Sequence, residues 1–595
     1  MRFACPQCHQ RLEIKGNWPG NRLDCPKCGA SIDLTAPLPS LLPGNPLLPP
    51  RPRQPAHAPT APAAPEAGPE PDPESEPAAR GGGLFWKILL FILLLLAAAY
   101  VFLRGGAVAP HAAPASSPAV IPAAIPGQSP AAFPSPAPSQ AAAAATRSVP
   151  AEDTESVLRN PFMGWVLYPA ENGNIPNARR YWLSQEANAR LASTCYIRIL
   201  WSEMEPSEGA YAWETDANLK ALIQGALDRG LRLAFRVYVT SRDVPLQATP
   251  EWVFQAGARV ATMDNDGKTP DVRDPVFQQK FGDFLRAFGK AFDDPARVNW
   301  VDAASIGWWG EMHHLDYLDA ASKPLVLQWL ANAYAAAFTH VPIAISFPNQ
   351  LATAQQMDDE CFSKGMFAMR RDGVAGSFGD VSAQQAQEIT QRWPGMPFIA
   401  EGYYQAPTAD QMRATVEQAL ALHANFLDLR TPVPADNWVK NHPGLVREFN
   451  LRGGYRFVID SVGYPREFNS GAAIAITSKI RNVGVGILPN NLKCWNWKYK
   501  LAFALLNPIG DQPVGILVDM AKADDPWTWE NGRAATTSVN GSFGNVPPGD
   551  YDLAVGVVDT SDNNKAEIQL AITAPRTATG WYRWGAVTVR KVAAL

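Results

Sequence analysis

The stretch that organises this chain reads ASIGWWGEMHH and occupies residues 304–314. A short apolar run ends in two tryptophans, a glycine and Glu311, and two histidines follow. We predict a buried strand over residues 304–309, with Glu311 at the point where the strand leaves the core. Burial against indole rings raises the pKa of a carboxyl group toward neutrality, where it can transfer protons. Glu311 is therefore either a catalytic group or a paired structural carboxylate.

Strand-like and helix-like segments alternate on both sides of this stretch, between residues 150 and 450. Strands are predicted at 164–168, 195–200, 232–239, 304–309, 343–347, 367–371, 397–400 and 425–429. Amphipathic helices are predicted at 216–229, 275–292, 323–338, 382–392 and 408–423. Strands that alternate with helices over about 300 residues favour a (β/α)8 TIM barrel. A doubly wound open sheet is the alternative, but no glycine-rich phosphate loop follows the first strand.

The C-terminal region, residues 451–595, has a different pattern. Apolar and polar residues alternate at 455–462, 472–481, 500–506, 551–558, 567–572 and 585–592. Turn-rich pieces separate these segments, which favours an all-β, immunoglobulin-like sandwich. The segments contain no clustered carboxylates or histidines, so we expect an accessory domain.

The first 33 residues predict a zinc ribbon. Two C-x2-C motifs, sixteen residues apart, supply four thiolates for one structural zinc ion: Cys5, Cys8, Cys25 and Cys28. Two disulfides are the alternative, but they require an oxidising compartment. Four thiolates leave no open coordination position, so this zinc is not expected to take part in catalysis. The dispersed cysteines are expected to be free thiols: Cys195, Cys361 and Cys494.

Residues 84–103 predict a transmembrane helix, because twenty mostly apolar residues match the bilayer thickness. A proline-rich linker at 34–82 precedes the helix and an Ala/Pro-rich linker at 105–149 follows it. Lys and Arg are frequent before the apolar core and scarce after it, which places the N-terminus in the cytoplasm and the later domains outside the cytoplasmic membrane. A net charge of −4 gives no reason to expect nucleic acid as a partner.

Catalytic residues of barrels stand at the C-terminal ends of the strands. Glu401 ends the seventh predicted strand, so we expect it to face Glu311 across the mouth. Two carboxylates that flank one bond suit glycoside hydrolysis. We expect Arg198 to hold Glu401 ionised and a tryptophan-rich wall to keep Glu311 protonated. The residues predicted to bind the carbohydrate substrate are Arg198, Trp201, Tyr238, Trp309, His313, Asn349, Asp372, Tyr403 and Trp438.

These motifs resemble the retaining-glycosidase clan with (β/α)8 barrels, which includes β-galactosidases and cellulases. The segments YIRILW at 196–201 and EPSEGAY at 205–211 are similar to that clan's second strand and following loop. The segments NPFMGW at 160–165 and GWWGEMH at 307–313 are more similar to uncharacterised β-galactosidase-like barrels with a C-terminal β-sandwich. The N-terminal cysteine pattern resembles the small zinc ribbons of some bacterial membrane proteins.

The resemblance implies that Glu311 is the general acid/base, that Glu401 is the nucleophile and that Arg198 contacts the nucleophile. One departure is Gly310, which stands where the clan has an asparagine that contacts the sugar 2-hydroxyl. That contact would then come from elsewhere, such as His313 or Asn349.

Three functions remain open. The first is a membrane-anchored retaining glycoside hydrolase that needs no cofactor for catalysis. The second, motivated by Gly310, is a non-catalytic carbohydrate-binding protein on the same scaffold. The third is a structural surface protein whose zinc ribbon recruits a cytoplasmic protein partner. The sequence contains no H-E-x-x-H motif and no nucleophile elbow, so metalloprotease and serine-hydrolase functions lack support.

Overall fold

The structure is a computed structural model that describes residues 150–591, apart from residues 171–172, 174, 243–246, 265–266, 376–380 and 403–407. Toward the N-terminus it also describes five strands of three residues each. The chain divides into two compact units, Met1–Leu41 with Gln140–Leu595, and Leu42–Ser139. The second unit lies outside the described residues.

The N-terminal segment contains two antiparallel strand pairs. β1 (Arg2–Ala4) pairs with β2 (Arg11–Glu13), and β3 (Arg22–Asp24) pairs with β4 (Ser31–Asp33). Each C-x2-C motif falls between the two strands of one pair. The four predicted zinc ligands and the predicted transmembrane segment at 84–103 lie outside the described residues. Among the helices that are described, none has the length and apolar character needed to cross a membrane.

Eight parallel strands close into a barrel and confirm the predicted barrel fold. The strands are β6 (Gly164–Leu167), β7 (Ala192–Leu200), β8 (Arg232–Tyr238), β11 (Val298–Asp302), β12 (Ile343–Ser346), β13 (Phe367–Val374), β14 (Phe398–Gly402) and β15 (Ala424–Arg430). They follow one another around the barrel in chain order, and β15 pairs with β6 to close it. Every residue of β6, β7 and β15 is buried, as expected for parallel strands covered on both faces.

The fourth barrel strand lies nearer the N-terminus than predicted. The strand is β11, Val298–Asp302, and the prediction of residues 304–309 is wrong. The sequence of β11 includes Asn299 and Asp302, whose polarity conceals a buried strand. Both side chains are hydrogen-bonded inside the barrel, which is why burial is tolerated. Residues 303–306, which are apolar apart from Ser305, follow the strand and form a buried loop at the mouth.

Helices cover the outside of the barrel. They are α1 (Ala178–Ala189), α2 (Trp201–Met204), α3 (Ala212–Thr215), α4 (Ala217–Asp228), α5 (Glu251–Gln255), α6 (Pro275–Phe292), α7 (Ser322–Ala337), α8 (Ala354–Glu360), α9 (Ala383–Arg392), α10 (Ala409–Ala421), α11 (Pro432–Asn441) and α12 (Pro443–Arg452). Side chains of Asp216 and Asp274 accept hydrogen bonds from first-turn N–H groups of α4 and α6, which sets where these helices begin. A hairpin of β9 (Val260–Asp264) and β10 (Gly267–Pro270) follows the third barrel strand.

The C-terminal β domain is present as predicted and consists of two sheets. Its strands are β16 (Phe457–Pro465), β17 (Glu467–Asn469), β18 (Ile474–Asn482), β19 (Tyr499–Leu506), β20 (Pro513–Val518), β21 (Ala534–Gly541), β22 (Gly549–Asp559), β23 (Lys565–Ile568) and β24 (Tyr582–Arg590). One sheet has the order β21-β18-β16-β5, where β5 is Ala144–Thr146, and the other has the order β17-β24-β22-β19-β20, with β23 beside β22. The three cysteines of the described part are free, as predicted: Cys195, Cys361 and Cys494.

One aromatic core joins the β domain to the inside of the barrel. Trp495 of the β domain meets Phe162 edge to face, with ring centroids 6.1 Å apart. Phe162 contacts Phe426 at 5.1 Å, and Phe426 contacts Trp300 at 4.6 Å. Trp300 then reaches Tyr196 at 5.7 Å, just below the mouth. The base of the barrel is therefore filled by aromatic side chains, and the polar groups stand at the other end.

Candidate active site

Glu311 lies at the end of a tight turn, nine residues after β11. The turn at Trp308–Gly310 has positive φ at Trp309 (53°) and at Gly310 (69°). A side chain at Gly310 has no room, because a Cβ there would lie 2.7 Å from the Cβ of Tyr238 and 2.9 Å from a backbone carbonyl oxygen. The turn folds Glu311 back toward β7 and β8, and both of these strands contribute an arginine to it.

Two arginines and one histidine hold the Glu311 carboxylate. Arg198 donates from Nη2 to Oε1 at 3.1 Å, and Arg236 donates from Nη1 to the same oxygen at 3.2 Å. The Nε2 atom of His313 lies 3.2 Å from the other oxygen, Oε2. The Glu311 side chain is 14% exposed, so this carboxylate remains reachable from solvent.

Charge outweighs burial in setting the pKa of Glu311. Burial and the nearby Asp372 carboxylate both raise this pKa. The hydrogen bond with His313 and the positive charges of Arg198 and Arg236 lower it by more, so the pKa lies below its usual value of 4.5. The prediction that a tryptophan wall keeps Glu311 protonated near neutral pH is therefore wrong.

Glu401 lies in β14 and is 2% exposed. Its Oε1 is 2.7 Å from Nη1 of Arg430 and 3.4 Å from Nη1 of Arg198. Its Oε2 accepts a hydrogen bond from the Tyr168 hydroxyl at 2.9 Å and forms an ion pair with Arg370. The expected contact between Arg198 and Glu401 is present, and Arg198 also links Glu401 to the other glutamate.

Two aspartates complete a buried charge network. Oδ2 of Asp302 accepts hydrogen bonds from Arg236 and from the Tyr196 hydroxyl, each at 2.7 Å, and lies 3.3 Å from Nε of Arg370. Asp372 pairs through Oδ1 with Arg370 and, at 3.6 Å, with Arg236. Burial raises the pKa of Asp372, but the surrounding arginines bring it well below its usual range.

Three carboxylates converge at the mouth. One oxygen from each of Glu311, Asp372 and Glu401 lies within 4.8 Å of the other two. Such a trio could hold a cation, but each member already pairs with at least one guanidinium group. A metal ion here would meet those positive charges, so the donor set does not suit a metal. Two glutamates at this spacing do suit a reaction that uses a carboxylic acid and a carboxylate on one bond.

Three aromatic residues of the predicted substrate set are buried within the protein. Trp201 is fully buried in the helix layer and contacts Phe281 at 5.1 Å. Trp438 on α11 is 4% exposed and packs on Trp165 at 5.4 Å. Tyr238 is fully buried beneath the turn that precedes Glu311. An aromatic residue near a strand end can face the mouth or the helices, and its position in the sequence does not decide between them.

The remaining predicted residues divide into two groups. Asn349 builds the loop after β12: its amide nitrogen donates to a backbone carbonyl at 2.8 Å, and its oxygen accepts from two backbone N–H groups. Both of its polar atoms are thus engaged within the loop, and its contact with substrate stays a prediction. Trp309 and His313 do lie beside Glu311, partly buried, with ring centroids 5.5 Å apart. Tyr403 lies outside the described residues.

The structure adds several residues that were not among the predicted ligands. They are Tyr168, Tyr196, Arg236, Asp302, Arg370, Asp428 and Arg430. A signal for this group was present in the sequence, because arginine recurs within or directly after four of the predicted barrel strands. A buried arginine requires an ionised partner, so several such strands in one barrel indicate an equal supply of carboxylates inside it.

The sequence matches no protein-family model and no curated protein. Several solved structures resemble the chain. Endo-glycoceramidase II from Rhodococcus sp., in complex with a five-membered iminocyclitol, has 11% identity, a TM-score of 0.34, and covers 65% of this chain and 99% of its own. PbGH5A, a glycoside hydrolase family 5 enzyme from Prevotella bryantii B14, has 11% identity, a TM-score of 0.33, and covers 51% and 99%.

Xylanase XynB from Paenibacillus barcinonensis, in complex with a conduramine derivative, is a further structural neighbour. It has 12% identity, a TM-score of 0.29, and covers 47% of this chain and 87% of its own. By their descriptions, the three neighbours are an endo-glycoceramidase, a glycoside hydrolase family 5 enzyme and a xylanase.

Proposed function

We propose that this protein is a glycoside hydrolase that retains the anomeric configuration of its substrate. The observation that carries the proposal is the pair of glutamates at the barrel mouth, which Arg198 bridges. Their nearest oxygens lie within 4.8 Å of each other. Retaining enzymes hold their carboxyl groups about 5–5.5 Å apart, whereas inverting enzymes leave about 6.5–9.5 Å for a water molecule.

Exposure and charge support an assignment of the two roles. Glu401 is 2% exposed and contacts three arginines, which suits a nucleophile that meets only the anomeric carbon. Glu311 is 14% exposed, which suits an acid/base that must meet first the leaving group and then water. Tyr168 donates a hydrogen bond to Glu401 and orients the attacking carboxylate.

In the first step, an oxygen of Glu401 forms a bond to the anomeric carbon as the glycosidic C–O bond breaks. Glu311 gives its proton to the departing oxygen, which leaves as an alcohol. In the second step, Glu311 takes a proton from water, and the water oxygen displaces Glu401 from the same carbon. The sugar leaves with its original configuration, and both glutamates return to their starting states.

Single substitutions in the full-length protein test these roles on aryl glycosides. Glu401→Ala is expected to lower turnover of every substrate by about 10⁴-fold or more, as loss of a covalent nucleophile does. Glu311→Ala is expected to spare the first step on activated aryl glycosides, because a good leaving group needs no acid. With azide, Glu401→Ala should form the glycosyl azide of inverted configuration, and Glu311→Ala the retained one.

The matched control is Glu417→Ala, which removes an exposed glutamate on α10. It should leave turnover unchanged. Near-normal rates after either Glu311→Ala or Glu401→Ala, in an active enzyme, would contradict the assignment. Products of inverted configuration from the unaltered protein would contradict the retaining mechanism itself.

A second candidate is a carbohydrate-binding protein without catalysis. The lowered pKa of Glu311 favours it, because an ionised glutamate has no proton for the leaving group. Binding of glycans without release of product across acidic and neutral pH would support this candidate. Any turnover that depends on both Glu311 and Glu401 would exclude it.

We also propose that the N-terminal segment binds one structural zinc ion through Cys5, Cys8, Cys25 and Cys28, and that residues 84–103 anchor the protein in the cytoplasmic membrane. The C-x2-C spacing and the distribution of Lys and Arg support these proposals. Metal analysis of the full-length protein under reducing conditions should give one zinc per chain. Protease added to spheroplasts should remove the barrel and spare the N-terminus; the reverse pattern would contradict the topology.

A further inference from the structure

We propose that Asp372 is a third substrate-contacting carboxylate, and that it binds the sugar hydroxyl on the carbon next to the anomeric carbon. This inference rests on the proposed function, because it takes Glu401 and Glu311 as the groups on either side of the scissile bond. It names a determinant of the substrate class: a glycoside that carries a free hydroxyl at that carbon.

The position of Asp372 relative to the two glutamates selects this hydroxyl. In the proposed mechanism Glu401 faces the anomeric carbon and Glu311 faces the glycosidic oxygen. A carboxylate within 4.8 Å of both must face a ring neighbour of the anomeric carbon. One neighbour is the ring oxygen, which has no hydrogen to donate. The other is the carbon that bears the next hydroxyl, and a hydroxyl is the complement of an ionised carboxylate.

Asp372 offers an oxygen for this contact. Its Oδ1 takes the ion pairs with Arg370 and Arg236. Within the described part of the chain, no donor forms a hydrogen bond to Oδ2. The side chain is 18% exposed, whereas the neighbouring Asp302 is fully buried. The two arginines thus fix the carboxylate in place through Oδ1 and leave Oδ2 as an available acceptor.

Several other polar groups near the site are already engaged, although Nδ1 of His313 is buried without a hydrogen-bond partner among the described residues. The side-chain amide of Asn349 is hydrogen-bonded to backbone groups of the loop after β12. His313 directs Nε2 to Oε2 of Glu311 at 3.2 Å. Gly310, which precedes Glu311, carries no side chain and has no room for one. Asp372 is also held ionised by its arginines, since its pKa lies well below the usual range. It therefore remains an acceptor at neutral pH, and its bond to the hydroxyl strengthens as positive charge develops on the sugar ring.

Pairs of aryl glycosides that differ only in this hydroxyl test the inference in the full-length protein. For each protein, kcat/KM is measured on the parent glycoside and on its 2-deoxy analogue, and the ratio is compared with that of the unaltered chain. Intrinsic reactivity cancels in this comparison, and so does any unfolded fraction of the sample. Asp372→Ala should lower the preference for the parent glycoside by about 10- to 100-fold, the range for hydrogen bonds to charged groups.

Two further variants sharpen the test. Asp372→Asn keeps the shape and one acceptor oxygen but not the charge, so its ratio should fall between those of Asp372→Ala and the unaltered protein. Asp410→Asn, an exposed aspartate in the first turn of α10, should leave the ratio unchanged. An unchanged ratio in Asp372→Ala, in an enzyme that still requires Glu401, would overturn the inference and leave the proposed function intact.

A binding measurement separates failure of the inference from failure of the proposed function. Iminosugar pairs with and without the equivalent hydroxyl, in gluco, galacto and manno configurations, are titrated calorimetrically into the unaltered protein and into Asp372→Ala. The hydroxylated member should bind more tightly only when Asp372 is present. Absence of turnover together with this pattern would refute the hydrolase and support the Asp372 contact. Equal discrimination by both proteins, or no binding of any member, would refute the contact.

Discussion

The two ends of the barrel are built from opposite kinds of side chain. At the base, Phe162, Trp300, Phe426 and Trp495 form an uncharged aromatic core shared with the β domain. At the mouth, four arginines and five carboxylates pair within a few ångströms: Arg198, Arg236, Arg370, Arg430, Asp302, Glu311, Asp372, Glu401 and Asp428. Both ends are largely buried, so burial alone does not explain the difference.

The energetics of burial explain why the charged mouth, unlike the aromatic base, needs a functional explanation. Burial of aromatic rings stabilises a fold directly. Buried ion pairs contribute little net stability, because desolvation offsets their attraction, yet the loss of one partner is costly. A chain selected for stability alone would not place nine charged groups in one barrel end. The contrast agrees with the general division of barrels into a stabilising base and a functional C-terminal face.

The largest expected effect on stability lies at the base. Trp300→Ala removes a side chain that is 1% exposed and contacts three other rings, and it should lower the free energy of unfolding by about 3–5 kcal/mol. Leu183→Ala, at a side chain 72% exposed on α1, should change it by less than about 0.5 kcal/mol. Chemical denaturation measures both. A loss below about 1 kcal/mol for Trp300→Ala would mean that the aromatic base is not the stabilising end.

Substitution of a glycine at the mouth should give the next largest loss of stability. Gly310→Ala introduces a Cβ 2.7 Å from Tyr238 at a φ of 69°, so we expect a loss of about 1–2 kcal/mol from the backbone and about 1–3 kcal/mol from the clash. Gly532→Ala, with a φ of 78° and no atom within 4 Å, isolates the backbone part. Gly310→Ala should also lower turnover, because it displaces Glu311. Equal losses from the two variants would show that the close approach at Gly310 is absent.

Loss of a polar contact between the barrel and the β domain should have a smaller effect on the free energy of unfolding. Glu567 pairs with Arg232 at 2.5 Å and accepts a hydrogen bond from the Tyr499 hydroxyl at 3.2 Å. Glu567→Gln should lower the free energy of unfolding by about 1–2 kcal/mol. Glu467→Gln, which breaks an exposed pair with Arg590, should cost less than about 1 kcal/mol. Both proteins should unfold in one transition, because one core spans both regions. Two separate transitions would show that the β domain is only tethered.

The pH dependence of activity tests how the charges at the mouth set the protonation of Glu311. Glu311 must be protonated to act as an acid, and its pKa lies below 4.5, so the protonated fraction falls as pH rises through the acidic range. On substrates with poor leaving groups, kcat/KM should therefore fall about tenfold per pH unit above that pKa. Activated aryl glycosides should not show this decline, and Glu311→Gln should abolish it. An optimum near neutral pH on poor leaving groups would show that substrate or another group raises the pKa of Glu311.

Much of the fold was open to prediction because apolar strands are easily recognised. β7 and β8 are long, nearly continuous apolar runs, and their predicted bounds lie within a few residues of the observed ones. The prediction of β11 failed because Asn299 and Asp302 interrupt its apolar pattern. Their hydrogen-bond partners, Thr194 and Tyr196, lie about one hundred residues away in the sequence. A hydrogen bond across that distance leaves no local trace in the sequence.

Part of the site could be predicted from the sequence, but its electrostatics could not. Glu311, Glu401, Arg198 and Asp372 stand together because strand ends of a parallel barrel meet at one mouth. The protonation of Glu311 could not be predicted, since it depends on which way Arg236 points from β8 and on a turn with positive φ. The neighbouring tryptophans in the sequence suggested an apolar wall, whereas two arginines and a histidine contact the carboxylate.

The most direct test of the proposed chemistry is mass analysis of a trapped intermediate. The fluorine of a 2-deoxy-2-fluoro glycoside slows both the formation and the hydrolysis of the glycosyl-enzyme. An activated leaving group speeds the formation but not the hydrolysis, so the covalent glycosyl-enzyme accumulates. After digestion, the peptide that contains Glu401 should carry the added mass of one fluorosugar, and the label should be absent from Glu401→Ala. A label on another residue, or rapid turnover of the parent glycoside with inverted products and no labelled peptide, would contradict the assignment of Glu401 as the nucleophile.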